Sequence, residues 1–342
     1  MSAAATTLAT APSPIDVIFL VLPDTLLLDL AGPAETFRLA NQALRRRGQP
    51  EAFRLHYVGP QAQAGSSVGL QLAGLAPLPD TLAPGRPTWV LLLGRPGDVP
   101  AVVECTPSWL AARDWLTRVV APRLVPAGRP AEGDGVRLLT VCVGALLAAD
   151  AGLLAGRQVT THHELLDGLQ RLAPAAKVLA NRVFVDDGAV LTSAGITAGI
   201  DLALHGVRQV CGEAITAAVA QVMVVFARRG PQAPQTSALL AHRDHLHPAL
   251  HRVQDAVCAA PAEDWDSARL AAVAHVTPRH LGRLFREHTG LSPRAWVEQV
   301  RAALAGQALA QGHDARLARE LAGFASTRQM RQALVRHGGA PA

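Results

Sequence analysis

The sequence predicts two domains: a doubly wound, mainly parallel α/β sheet sandwich, then an all-α domain with two helix-turn-helix units. Three observations carry this. Short apolar runs alternate with helical stretches over the first two-thirds of the chain. A Gly/Pro/Gln-rich stretch without periodicity, Gly230 to Ser237, then interrupts the pattern. Beyond it, short amphipathic segments are separated by tight connections and Thr or Ser helix starts. Length allows this, since 342 residues can bury two cores.

In chain order, Met1 to Pro14 is Ala/Thr/Pro-rich without a basic start, which reads as a disordered tail and not a signal peptide. Ile15 to Leu22 reads as a buried strand. Asp16, Asp24 and Asp29 in and after it exclude a membrane span. Gly32 to Arg47 follows as a helix, with Arg45, Arg46 and Arg47 placed well for its dipole. Phe53–Val58, Trp89–Leu93 and Val136–Val141 are further strands, and Trp109 to Val120 is helical. Near-continuous apolar strands separated by helices imply a parallel sheet covered on both faces, wound by right-handed crossovers. Ala214 to Arg229 completes this domain as a helix. The expected division is therefore 15–229 for the α/β domain, 230–240 for the linker and 241–342 for the helical domain.

Composition narrows the function classes. Hydrophobic residues make up 49% and charged residues 17%, the balance of a folded protein. The net charge is +5, and the thirteen arginines and nine carboxylates from Ala241 onward leave the preceding residues near neutral. A basic C-terminal domain points weakly to a polyanion. Cys105, Cys142, Cys211 and Cys258 lack CxxC spacing, against a disulfide framework or zinc ribbon. No P-loop or GxGxxG follows a strand, so no nucleotide cofactor is expected. His247 and His251 share i, i+4 spacing, but Pro248 lies between them and no third ligand is obvious, so no metal is expected either. The protein is expected to be cytoplasmic.

In the helical domain, Ser267–His275 is a short helix and Thr277-Pro278 starts another, with Thr as N-cap and Pro at N1. Thr289-Gly290 ends it. Leu281, Leu284 and Phe285 face a core, while Arg279, Arg283 and Arg286, with His280, form a basic stripe. That stripe suits a major groove, where Arg donates to guanine O6 and N7; a solvated helix face is the plainer alternative. A second unit favours the groove. Ala315–Ala322 is helical, Gly323-Phe324 turns, and Ser326 caps a helix bearing Thr327, Arg328, Arg331 and Arg336. Pro293–Gln311 between them is a rigid spacer, setting the reading helices about one DNA turn (~34 Å) apart.

The run Ala268 to Pro293 resembles the first helix-turn-helix of the AraC/XylS regulators, and Gly323-Phe324-Ala325-Ser326 resembles their second. The resemblance implies base reading by Arg279, His280 and Arg283, and by Thr327, Arg328 and Arg331 in the second unit. The partner it implies is double-stranded DNA. Departures are one extra residue before Gly323, Arg319 where the family buries a small residue, and no aromatic tail before Ala342. The first unit is thus expected to read bases, and the second to contact phosphates with relaxed specificity.

In the α/β domain, Val141-Cys142-Val143-Gly144 places a cysteine at a strand-to-helix turn, an elbow where helix amides favour a thiolate. Leu28-Asp29-Leu30-Ala31-Gly32-Pro33, Thr160–Glu164 and Thr192–Asp201 also fall near strand ends, where open α/β sheets bind ligands. These segments resemble the class I amidotransferase-like superfamily of PfpI proteases and isocyanide hydratases. With the C-terminal domain, the combination resembles GlxA-type regulators. The resemblance implies Cys142 as the elbow cysteine, Asp29 as its acidic neighbour and His162 as the pocket histidine, beside Gly94, Arg95 and Val143. Val143 stands where the hydrolases place histidine, and Arg95 replaces one of a glycine pair that supplies an oxyanion donor. A sensing pocket for a small-molecule effector is therefore expected over catalysis, with Arg95 facing an anionic ligand and a homodimer reading half-sites. The open alternatives are a cysteine-dependent hydratase or hydrolase, a nucleoid-type DNA binder without ligand control, Cys142 as a small buried residue and His162 as a helix-start residue.

Overall fold

Strands whose side chains point alternately to two covered faces set the architecture seen in the computed structural model, which describes residues 13–103, 105–126, 135–225, 228–237, 239–310 and 312–337. The tail expected over 1–14 lies almost wholly outside the described residues. The chain divides into two compact units at Gln235.

The first unit runs β1 (Ile15–Leu20), α1 (Leu27–Arg45), β2 (Phe53–Val58), β3 (Gln63–Gly65), β4 (Gln71–Ala73), β5 (Thr88–Leu92), α2 (Val99–Val102) and α3 (Pro107–Trp115). Then come β6 (Val136–Thr140), α4 (Gly144–Asp150), β7 (Gln158–Val159), α5 (Leu166–Leu172), β8 (Lys177–Val178), β9 (Phe184–Asp187), β10 (Val190–Ser193), α6 (Ala198–Cys211) and α7 (Glu213–Val222). The main sheet has the order β2-β1-β5-β6-β10-β9, parallel except for β9 against β10. Period-two alternation splits the core. Ile18, Leu20, Val90, Leu92 and Leu138 pack against Trp109, Trp115 and Leu146 on one face. Val17, Phe19, Trp89, Leu91 and Leu139 pack against Phe37, Leu202 and Ile215 on the other.

Three boundaries differ from the sequence reading. The helix expected from Gly32 begins at Leu27, so Pro33 lies inside it and Asp29 sits in its first turn. Proline normally marks a helix start; here the extra turn is held because Asp29 and Leu30 are buried and Asp29 accepts the Gly94 amide. The helix expected to reach Arg229 ends at Val222, and Val224 adopts a left-handed φ of 54°. The stretch expected as a free linker is held in part: the Val183 amide donates to Ala233 at 3.0 Å, and the Gln235 amide to Asn181 Oδ1 at 3.1 Å.

The second unit is helical: α8 (Pro248–Ala259), α9 (Ser267–Ala274), α10 (Pro278–Thr289), α11 (Pro293–Ala310), α12 (Ala315–Leu321) and α13 (Thr327–Arg336). Helix α11 serves two cores. Its Trp296, Val297 and Val300 join Leu250, Val253, Leu270 and Phe285. Its Ala302, Ala305 and Ala308 join Ala318, Met330 and Leu334. A single rigid helix thus carries both helix pairs, as a spacer must. Among the described residues, no helix is long and apolar enough to cross a membrane.

Candidate functional site

Strand β6 delivers Cys142 into its turn at φ 54°, a left-handed conformation costly for a residue with a side chain. The turn is held on both sides. The Cys142 amide donates to Ala194 at 3.0 Å, and Thr161 Oγ1 donates to the Cys142 carbonyl at 2.8 Å. Asp29 arrives from α1, fully buried; its Oδ2 accepts the Gly94 amide at 3.0 Å and its Oδ1 has no partner. Gly94 is required there, since a Cβ would lie 2.6 Å from Asp29 Oδ2 and 3.0 Å from Cys142 Cβ. The structure therefore brings Asp29, Gly94 and Cys142 together.

The electrostatics differ from the expected thiolate. Burial, reinforced by the Asp29 carboxyl, pushes the Cys142 thiol up to about 12 against the opposing amides of Val143 and Ile196. Burial also raises Asp29 to about 7, opposed by the Gly94 amide. The elbow amides do favour the anion, but desolvation outweighs them, so Cys142 is a thiol at neutral pH. The same burial makes Asp29 a carboxyl poised between its two forms.

His162 caps the turn before α5, where its Nδ1 accepts the Glu164 amide at 3.5 Å. Its ring lies against Gly195, whose Cβ, if present, would be 2.6 Å from Cδ2. Burial and the neighbouring His163 hold its pKa below the usual histidine value, against a smaller pull from Glu164. Val143 is buried in the core. Arg95 is turned toward the end of α2 and the β1–α1 loop: NH1 donates to the Val102 carbonyl at 3.5 Å, NH2 is 3.6 Å from Asp24, and Nε is buried without a partner. Its guanidinium is thus largely engaged, in contrast to the free anion contact expected from sequence. Sequence reasoning held Thr161 only within the Thr160–Glu164 segment, without a role, and missed Gln235. The Thr160-Thr161 pair at a strand end was the available signal, whereas Gln235 lies in a stretch with no periodicity to read.

In the helical unit, Thr277 Oγ1 caps α10 by accepting the His280 amide, and Ser326 caps α13 by accepting the Gln329 amide. Between α9 and α10, His275 takes the left-handed conformation that tightens the turn. Thr277, Arg279, His280, Arg283, Arg286 and Glu287 line one groove of about 680 Å³. Glu287 was not anticipated; its carboxylate can accept from cytosine N4. On α13, Arg328 and Arg331 are exposed and Thr327 is half-buried. Arg319 does not break the second core. Ala318 takes the buried place, while Arg319 donates to the Phe324 carbonyl at 3.3 Å across the turn.

Of the His-rich stretch His242, His245, His247 and His251, spacing paired only His247 with His251, whereas the fold sets His245 beside His251 and adds His288. Ring centroids are 4.5 Å apart for His245–His251 and 5.3 Å for His247–His288. His251 Nε2 donates to the His245 carbonyl at 2.7 Å, which commits that nitrogen. Among the described residues, no group of three or more His, Cys, Asp or Glu is arranged to hold a metal ion.

Residues 117–209 match the DJ-1/PfpI family model, and residues 270–342 match a helix-turn-helix domain model. The HTH-type transcriptional regulator GbdR of Pseudomonas aeruginosa is 29% identical over 300 residues, 87% of this chain and 75% of GbdR. The HTH-type transcriptional regulator GlxA of Rhizobium meliloti is 33% identical over 156 residues, 46% of this chain and 48% of GlxA. The isonitrile hydratase of Pseudomonas putida is 38% identical over 95 residues, 27% of this chain and 39% of the hydratase.

Proposed function

Because the chain belongs with the DNA-binding transcriptional regulators that join a DJ-1/PfpI domain to an AraC-type helix-turn-helix domain, we propose that its α/β unit senses a small metabolite without turning it over. The effector sits beside Asp29, Gly94 and Cys142, with Arg95, Val143 and His162 around it. Its binding sets how α10 and α13 meet double-stranded DNA. The protein acts as a cytoplasmic homodimer on paired half-sites.

The observation that carries this reading is the setting of the elbow, where buried Cys142 is followed by buried, apolar Val143. A thiol raised to about 12, followed by apolar Val143, is a poor nucleophile but a good wall for a ligand. Asp29 offers an unpartnered Oδ1 and can donate or accept near neutral pH. Melting temperatures across a metabolite panel test the reading, since a ligand at a hundred times its Kd stabilises by about 2.7 kcal/mol. A compound that raises the melting temperature should also change affinity for upstream DNA. A panel without any such compound argues against sensing.

Asp29 supplies a pH signature. The folded carboxyl holds its proton up to about 7, whereas the unfolded one releases it near 3.8. Its stabilising contribution is therefore full below 3.8 and lost as pH rises through 7. Asp29→Asn should flatten that decline and be the more stable form at pH 8, by at most about 1.4 kcal/mol for each tenfold difference in proton affinity between the folded and unfolded carboxyl. Chemical denaturation at pH 5 and pH 8 measures it.

A second reading, a cysteine-dependent hydratase, is favoured by one feature: the left-handed elbow beside a buried carboxyl. Turnover of an isonitrile that disappears in Cys142→Ala would establish it over sensing.

A further inference from the structure

We propose that residues 229–235 form a latch whose hold on the α/β unit is coupled to the Cys142 turn; this rests on the sensing reading above and assigns its regulation. The segment leads out of the α/β unit toward the helical unit, and three sets of hydrogen bonds tie it to the walls of the site. The first is a backbone ladder. The Cys142 amide donates to Ala194, the Ala194 amide to Val183 at 2.8 Å, and the Val183 amide to Ala233 at 3.0 Å.

The second runs from the other side of the same residue. The Cys142 carbonyl accepts from Thr161 Oγ1, and the Thr161 carbonyl accepts from Gln235 Nε2 at 2.9 Å. Gln235 Nε2 also reaches Thr160 Oγ1 at 3.2 Å, and the Thr160 amide donates to Thr192 Oγ1 at 2.7 Å. The third is ionic. Arg229 donates to the buried Asp201 at 2.6 and 2.9 Å and to Thr197 Oγ1 at 2.9 Å. Thr197 directly follows Ile196, whose amide faces the Cys142 sulfur.

Both peptide groups of the elbow thus reach the departing chain through directional bonds. A Cys142 turn displaced by an occupant has to carry Ala194 and Thr161 with it or break their bonds. Either event changes what Ala233 and Gln235 hold. Such bonds have discrete made and broken states, which is what coupling between two sites requires. Coupling is reciprocal, so loosening the latch should also loosen the elbow.

The test uses iodoacetamide on the full chain, read by peptide mass spectrometry. The sulfur displaces iodide from the CH₂ carbon, forming a C–S bond while the thiol proton goes to solvent. Exposed Cys105 is the internal control. Gln235→Ala should speed labelling of Cys142 about fivefold or more, the lower end of usual coupling, and leave Cys105 unchanged. Thr161→Val cuts the same link at its other end, so the double variant should be no faster than the faster single one. Unchanged Cys142 labelling, or additive effects in the double variant, overturns the latch. A metabolite panel without a hit would count against sensing alone, because these measurements use no effector.

Discussion

Helices α10 and α13 each carry three arginines behind a Thr or Ser cap, at different spacings and tied down differently. Among the described residues, Arg279, Arg283 and Arg286 form no ion pair; the Arg283 guanidinium meets only His280 Nδ1, at 3.1 Å. On α13 the last arginine, Arg336, pairs with Glu298 of α11, and Arg316 and Arg319 of α12 pair with Glu320. The cores differ as well. The first unit packs Phe285 and Trp296, whereas the second is built largely from alanines around Phe324, Met330 and Leu334. Equal numbers of arginines therefore yield two reading helices with unequal numbers of unpaired guanidinium groups and unequal support.

The sharpest way to break this comparison is by DNA affinity. Arg279→Ala/Arg283→Ala should lose about 1–3 kcal/mol for each base contact removed and relax specificity. Arg328→Ala/Arg331→Ala should instead weaken binding uniformly across sequences and flatten the salt dependence. Titration on upstream and scrambled duplexes at several salt concentrations separates them. Matching sequence-selective losses would make the two units equal readers.

Caps give a smaller effect. Thr277→Ala and Ser326→Ala should each cost about 1 kcal/mol of stability, measured by denaturant titration. The Ser326 variant should lose more DNA affinity for that cost, since the alanine-built core gives α13 less other support. Equal losses would remove core support as a distinction.

The smallest effect is the response to acid, which should fall on the first unit. Burial, then His251 and His288, holds His245 below the usual histidine value, with smaller opposition from Asp244 and Gln254. Its neutral form is favoured in the fold, so stability is full above about 6.5 and declines as pH falls below it. Hydrogen-exchange protection, corrected for intrinsic rates, should drop more in α8 and α10 than in α13 when the pH is lowered from neutral to mildly acidic. A uniform drop would remove this asymmetry.

Legibility in the sequence followed the range of the interaction. The helix starts at Thr277 and Ser326 were readable because a cap contacts an amide three residues away. The apolar strands β1, β5 and β6 were readable because burial on both faces leaves a near-continuous apolar run. The β9–β10 hairpin and the two-residue β7 and β8 were not, since so few residues carry no period. Cys142 and Asp29 could be placed at strand ends, but their pairing in one site came only through resemblance to known proteins, and Gln235 was not legible at all.

What the sequence determined by itself was the order of elements, the break after the α/β unit and the basic faces of α10 and α13. Each of these depends on side-chain periodicity or on contacts within a helical turn. Tertiary structure alone decided that burial raises the Cys142 thiol, that Arg95 turns to Val102 and Asp24, that His288 joins three distant histidines and that Gln235 holds Thr161. Desolvation and long-range hydrogen bonds set those properties, and both depend on which residues the fold encloses.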